Sequence, residues 1–423
     1  MSAGKVCTVN AAEYGDDKKQ PLRMPRPGRS TAVYLCMTVF LWDLHLAQPY
    51  ESRFDRCAQD MESLRGTCRT FHVGQVWSKL LSAMFLSSAG CLDSLVWAQT
   101  CVSKQRTPIR VDNAALLGTL RAAVNCTDGG AVEVNWAGFV TVDAPIAIAR
   151  GTFLSVTGED DLAEVHGDDS QPKGTRLFEV SPGGSLALSQ LKLSGGAAAE
   201  GGAILSSSAN LSLASCVFNG NIATEGNGGA VLADGGNVTI VGGEFLANNA
   251  SRFGGAVVAA DARLEVRGGS KFKGNEALAG GALFCGSNTV RSTTSPVLCS
   301  VTETEFTSNR ATYADRKGAR VATFSLDGCG AAAFLFADAT VTGSEFRGNY
   351  ARSSGGALYG GNSTNISVNG CTFENNTSEQ YGGAISASSM SLGGNTQLAY
   401  NSASKKGGAV SATKSIKKYL RHV

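Results

Sequence analysis

Proline is scarce in this chain of 423 residues, with 9 in all, which excludes a collagen or a Pro-rich linker. Histidine is scarcer: His45, His72, His166 and His422 are the full set, and none falls between Gly201 and Arg421. The 12 cysteines form no Cys-x-x-Cys pair and no Cys/His cluster, so no metal and no cofactor is expected. The formal net charge is only +2, which gives no reason to expect nucleic acid as a partner. The repeated region has no helical periodicity ten or more residues long, so a helical solenoid is excluded there.

Glycine is abundant instead, at 52 residues, against a usual ~7%. Many glycines with few prolines point to repeated tight turns between short strands. The glycines keep a beat. Gly-Gly-Ala plus an aliphatic residue starts at Gly201-Gly202, Gly228-Gly229, Gly254-Gly255, Gly280-Gly281, Gly355-Gly356, Gly382-Gly383 and Gly407-Gly408. The steps are 27, 26, 26, 75, 27 and 25 residues. The long step holds a degenerate copy at Cys329-Gly330-Ala331 and one insertion. A second motif, Phe-x-x-Asn, keeps the same time at Phe218/Asn221, Phe245/Asn248, Phe272/Asn275, Phe306/Asn309, Phe346/Asn349 and Phe373/Asn376, with Leu398/Asn401 as a variant. Alternating apolar pairs precede each Phe, as in Leu211/Leu213, Val238/Ile240 and Leu264/Val266. Period-two alternation means strand with one face inward.

A unit of about 26 residues with three short strands cannot bury its apolar face alone, but it can by stacking on its neighbours. The expected fold is therefore all-β: a right-handed parallel β-helix over residues 109–412. Phe stacks on Phe of the next coil. Asn suits a sharp left-handed turn and can also bond the Asn one coil away. The Gly pair allows a tight corner. Counting from Gly130 to Ala412 gives ~11 coils, roughly 50 Å long.

The flanks are less regular. Asp112 or Asn113 can cap a short helix over Ala114–Val124, which would cover the N-terminal end of the core. Strand-like runs follow at Ala131–Val134, Phe139–Val142, Phe153–Val156, Leu177–Val180 and Leu186–Leu193. Residues 413–423 are basic and off-pattern, and read as a tail, either a short capping helix or the start of a truncated remainder. Residues 61–98 read as a signal peptide, with Arg65, Arg69 and Lys79 before an apolar stretch ending Val96-Trp97-Ala98. The alternative is one anchoring helix behind a cytoplasmic extension. Residues 1–60 read as an extension outside the mature protein.

The paired Gly-Gly-Ala-aliphatic and Phe-x-x-Asn motifs, over about residues 180–412, resemble the repeats of chlamydial polymorphic outer membrane proteins and related β-helix adhesins. That resemblance implies a surface-exposed domain that binds host or neighbouring cells. Family members also carry a C-terminal translocator barrel, but no run of ~10-residue alternating strands follows residue 412, so no barrel is expected in this chain.

Catalysis has one weak local candidate, Asp168 and Asp169 in His166-Gly167-Asp168-Asp169, since paired carboxylates can act as acid and base. The segment reads as a polar loop, where acidic residues are normally just solvated. Charged residues of the coils, such as Glu244, Glu265, Lys271, Lys273, Glu303, Glu305 and Glu345, fall at outward or turn positions. Cys216 and Cys371 share one column five coils apart, about 24 Å, too far for a disulfide, and read as small core fillers. Cys285 and Cys299 flank the insertion and could staple it. Asn125, Asn210, Asn237, Asn249, Asn362, Asn365, Asn375 and Asn376 fit the N-glycosylation triplet. The expected function is a non-enzymatic, secreted or cell-surface β-helix that recognises glycans or surface proteins. The alternative on the same fold is a polysaccharide lyase, hydrolase or epimerase.

Overall fold

The computed structural model describes residues 108–125, 130–161, 163–171, 174–287, 297–312, 329–335 and 337–418. The expectations for residues 1–60 and 61–98 lie outside these, as do the cysteines up to Cys126 and the last five residues.

A coil starts at the Gly pair. The chain then enters a long strand, bent midway, such as Ile204–Ala214 or Val231–Val241. A three-residue strand centred on Phe follows, as in Glu244–Leu246, and then a two-residue strand such as Asn249–Ala250. Each strand pairs in parallel with its counterpart one coil on, Ile204 with Val231 and Phe218 with Phe245. The result is an all-β parallel solenoid of about ten turns with ~27 residues per turn. Three parallel sheets wrap one core. We call them the long-strand sheet, the Phe sheet and the two-residue sheet.

Period-two alternation explains the core. Leu211, Leu213, Val238, Ile240, Leu264 and Val266 point inward and are at most 2% exposed. Phe218, Phe245, Phe272, Phe306, Phe346 and Phe373 are fully buried in one column. Their ring centroids lie 4.7–4.9 Å apart with planes within 6°. Rings in contact are ~3.5 Å apart, so each is slid sideways by about 3.3 Å, the offset stack that ring quadrupoles prefer. The strand spacing thus sets the aromatic geometry.

The Asn column departs from expectation. The left-handed residue is the one before each Asn: Gly220, Ala247, Gly274, Ser308, Gly348, Asn375 and Tyr400, with φ between 50° and 64°. The Asn itself is reserved for a buried amide ladder. Asn248 accepts at Oδ1 from the backbone N–H (2.9 Å) and Nδ2 (3.0 Å) of Asn221. Its own Nδ2 donates to Asn275 Oδ1 (3.0 Å) and to the Phe218 carbonyl (3.0 Å). The amide is fully satisfied at 0% exposure, which is what a buried polar group requires.

The glycine pair does two jobs. Gly228 has φ +68°, and Gly229 leaves room for the next coil: a Cβ there would stand 2.0 Å from the Gly255 carbonyl oxygen. No L side chain meets both demands.

The long step of 75 residues hides two insertions at different places in the coil. One separates Leu283–Gly286 from Val297–Thr302, within the long strand; the other separates Arg310–Ala311 from Ala332–Leu335. A disulfide joins Cys285 to Cys299 across the first, with Cα atoms 6.3 Å apart, and both side chains are in the core. Cys216 and Cys371 are buried and unbridged. They share their column with Gly243, Ser270, Thr304 and Ser344, all small.

At the N-terminal end, a short 3-10 turn, Ala114–Leu116, runs into helix Leu117–Val124, and Asn113 caps the turn through Ala115 N–H. Leu117, Leu120, Ala123 and Val124 are buried against the first coils. The run Leu186–Leu193 is two strands, Ser185–Ser189 and Lys192–Ser194. Residues 413–418 continue the coil. Val410–Lys418 is one continuous strand, with Ile416 opposite Met390. Lys414 and Lys417 are exposed, and Ile416, itself 49% exposed, extends the column of Met390.

The long-strand sheet also carries apolar residues on its outer face. Leu232, Val258, Phe284 and Ala333 are at most 5% exposed, and Phe253 stacks on Phe284 at 5.1 Å. Val257–Ala260 is buried on both faces, so its sequence reads as a continuous apolar run.

Candidate recognition face

The outer face of the Phe sheet is where charge collects. In each three-residue strand the central Phe points in, so its two neighbours must point out. Stacking then sets these neighbours in two columns about 4.8 Å apart per coil. One column includes Glu164, Lys192, Glu244, Lys271, Glu305 and Glu345; the other includes His166, Ser194, Leu246, Lys273, Thr307 and Arg347. Glu244, Glu305 and Glu345 precede Phe because the repeat puts an outward position there.

Opposite charges meet within and across coils. Lys271 Nζ lies 2.8 Å from Glu244 of the preceding coil, and Arg347 bonds Glu345 of its own strand (3.1 Å) and Glu374 of the next coil (2.6 Å). Glu244's hydrogen bond raises the Lys271 pKa above its ordinary value. These pairs are mostly solvent-exposed and contribute little to stability. Their effect is to present fixed, alternating charge. A shallow groove runs over this patch, lined by Glu244, Leu246, Lys271, Lys273, Glu305 and Thr307. Its floor includes the Phe272 backbone strand, and its walls are both acidic and basic.

Nearer the N-terminal end the same face holds a denser cluster. His166 lies on strand Glu164–Gly167, paired with Lys192–Ser194, where a loop was expected. The inward positions of that strand are Val165 and Gly167, so one apolar side chain is all that marks it in sequence. His166 Nδ1 is 2.8 Å from Ser194 Oγ, and Nε2 is 3.4 Å from Asp169 Oδ2. Ser194 also donates to Glu164, and Lys192 Nζ sits 2.8 Å from Glu164. Burial pushes the Glu164 carboxyl up, but the bonds from Lys192 and Ser194 outweigh it and hold it below the usual range. Phe139, 58% exposed, lies 5.1 Å from the His166 ring. Sequence reasoning missed Glu164, Lys192 and Ser194; the 28-residue offset between Glu164 and Lys192 was the available signal.

Asp168 does not act with this cluster. It accepts from Ser170 N–H and Gln171 Nε2, both at 2.9 Å, and so shapes the turn. Those bonds lower its pKa, the wrong direction for a general acid. Asp169 is 80% exposed. Among the described residues no group of three or more His, Cys, Asp or Glu could hold a metal ion, and no helix is long and apolar enough to cross a membrane. Of the glycosylation triplets, Asn210, Asn237, Asn249, Asn365 and Asn375 are exposed, Asn125 follows the N-terminal helix, and Asn376 is buried in the ladder.

No curated protein matches this chain. Among solved structures, the catalytic unit of a thermostable GH87 α-1,3-glucanase from Streptomyces thermodiastaticus strain HF3-3 is similar at 12% identity and a TM-score of 0.28, over 73% of this chain and 68% of that one. A likeness of that size bears on neither substrate nor mechanism. Residues 370–388 match the Chlamydia polymorphic membrane protein repeat. That stretch holds Phe373 and Asn376 at the end of one coil and Gly382-Gly383 at the start of the next, so the match falls on the two motifs that build this parallel solenoid.

Proposed function

We propose that this chain is a non-enzymatic surface or secreted solenoid that recognises glycans or proteins through the outer face of its Phe sheet. The groove over Glu244, Lys271, Lys273 and Glu305 carries this reading, because it combines fixed charge of both signs with a repeat near 4.8 Å per coil. An extended partner can meet the same contact at successive coils, and many weak contacts then add up. The surface setting is supported by the repeat match at residues 370–388 and by the Cys285–Cys299 disulfide, a bond favoured in oxidising compartments.

The test is a screen of the full chain on immobilised glycans and surface proteins. A ligand found this way should bind about tenfold or more weakly to the Lys271→Glu/Lys273→Glu variant. Arg263→Glu, on the long-strand sheet, should bind normally. Equal binding by the groove variant, or selective loss with Arg263→Glu, rejects the Phe-sheet face.

A second reading, a polysaccharide lyase, hydrolase or epimerase, rests on the Glu164–His166–Ser194–Asp169 cluster beside exposed Phe139. Products from acidic polysaccharides that disappear with Glu164→Gln would establish it over the first.

A further inference from the structure

The glycosylation triplets are not equivalent once folded. Asn376 is 0% exposed. Its Nδ2 uses both N–H groups, one to the Phe346 carbonyl and one to Asn401 Oδ1, each at 2.9 Å. Its Oδ1 accepts twice from Asn349. Joining a sugar to Nδ2 removes one donor and needs space that the core lacks. Asn375, one residue earlier in the overlapping triplet, is exposed at a corner with φ 55°.

The exposed acceptors are also sorted by face. Asn210, Asn237 and Asn365 lie in one outward column of the long-strand sheet. Asn210 pairs in register with Asn237, whose Nδ2 bonds it at 2.9 Å, and Asn365 pairs with Asp338. Asn249 faces out from the two-residue sheet. None of the eight triplets falls on a described strand of the Phe sheet.

We propose that N-linked glycans decorate the long-strand column and the Asn249 and Asn375 positions, never Asn376, and leave the Phe-sheet face bare. This rests on the surface reading above and deepens it: glycans leave one face free to meet a partner. In the transfer, Asn Nδ2 forms a bond to C1 of the first sugar of a polyprenyl-diphosphate-linked oligosaccharide. The C1–O bond to diphosphate breaks, the diphosphate leaves with the electron pair, and the amide gives up one proton. A transferase of the secretory pathway supplies the donor.

The experiment sends the full chain through a eukaryotic secretory pathway behind a heterologous signal. The folded, secreted pool is then treated with a glycan-releasing amidase in heavy-oxygen water, which marks each former site as labelled Asp. Label is expected in the Asn210/Asn237/Asn365 column and not at Asn376. With Asn375→Gln the Asn376 triplet stays intact, and the peptide should carry no label. Label at Asn376 in folded protein, or a bare long-strand column, overturns the proposal. Because the route is imposed, this outcome is independent of whether the native chain reaches the surface, and the binding screen decides that reading separately.

Discussion

The coils before Gly201 and those after it reach the same cross-section by different means. After Gly201, one Phe (Leu398 in the last coil) and one Asn per coil fill fixed columns. Before it, the Phe column is Val140, Val165 and Leu193, continuous in register with Phe218, and the amide ladder starts only where Gly196 N–H meets Asn221 Oδ1. Paired inward residues there are unevenly spaced in sequence: Val134, Val156, Leu188 and Leu213 are successive partners. The early coils lean on buried Trp136, whose Nε1 donates to the Glu164 carbonyl (3.1 Å), and on the covering helix. A parallel solenoid therefore needs inward alternation everywhere. The ladders are an addition that makes coils alike.

The sharpest way to break this contrast is to charge the ladder. Asn275→Asp removes two donors and buries a carboxylate beside Asn309 and Asn248, so we expect a loss of about 3–5 kcal/mol by chemical denaturation. Asn→Asp at Asn135, half-buried on the outer face of the early coils, should change stability by less than about 1 kcal/mol.

A second comparison weighs the columns. Phe272→Ala should lose about 3–5 kcal/mol and Leu193→Ala about 2–5 kcal/mol. Side by side in one denaturation series, Phe272→Ala should be the worse of the two, because it also breaks two ring stacks. Equal losses would mean that the aromatic ladder adds nothing beyond volume.

The smallest effect belongs to the early coils alone. A hydrogen bond from Arg121 holds the Asp143 carboxyl below its ordinary value, at 2.7 Å. A folded-state pKa that is depressed gives stability that is whole above the unfolded value near 3.8 and is lost as pH falls through the folded value. Asp143 is 67% exposed, so Arg121→Met should lose under about 1 kcal/mol at pH 7. The difference from wild type should fade in denaturation curves taken below pH 3.8.

Legibility followed the same divide. The GGA and Phe-x-x-Asn columns revealed the fold because stacking forces equivalent positions to repeat. Ile146–Ile148 and Glu164–Gly167 escaped notice because a strand of three or four residues with one or two inward side chains leaves little pattern. The second insertion was hidden because the copy at Gly330-Ala331 lacks one glycine of the pair. The outer apolar residues Val258 and Phe284 were invisible because burial on both faces erases alternation. The candidate face was half legible. Glu244, Lys271 and Glu305 could be placed outward from their position beside Phe, but the Glu164–Lys192–Ser194 grouping required the register of the irregular coils.

The amide ladder ignores how far apart its members are along the chain. Asn275 and Asn309 are 34 residues apart and Asn309 and Asn349 are 40, yet each pair meets at 3.0–3.1 Å, as do pairs 27 apart. The strands on either side of each insertion keep their places in the stack whatever the length of chain between them. New segments can therefore be grafted between Gly286 and Val297, or between Ala311 and Ala332, without retuning the scaffold. Variation in what this molecule meets is free to proceed there while its architecture stays constant.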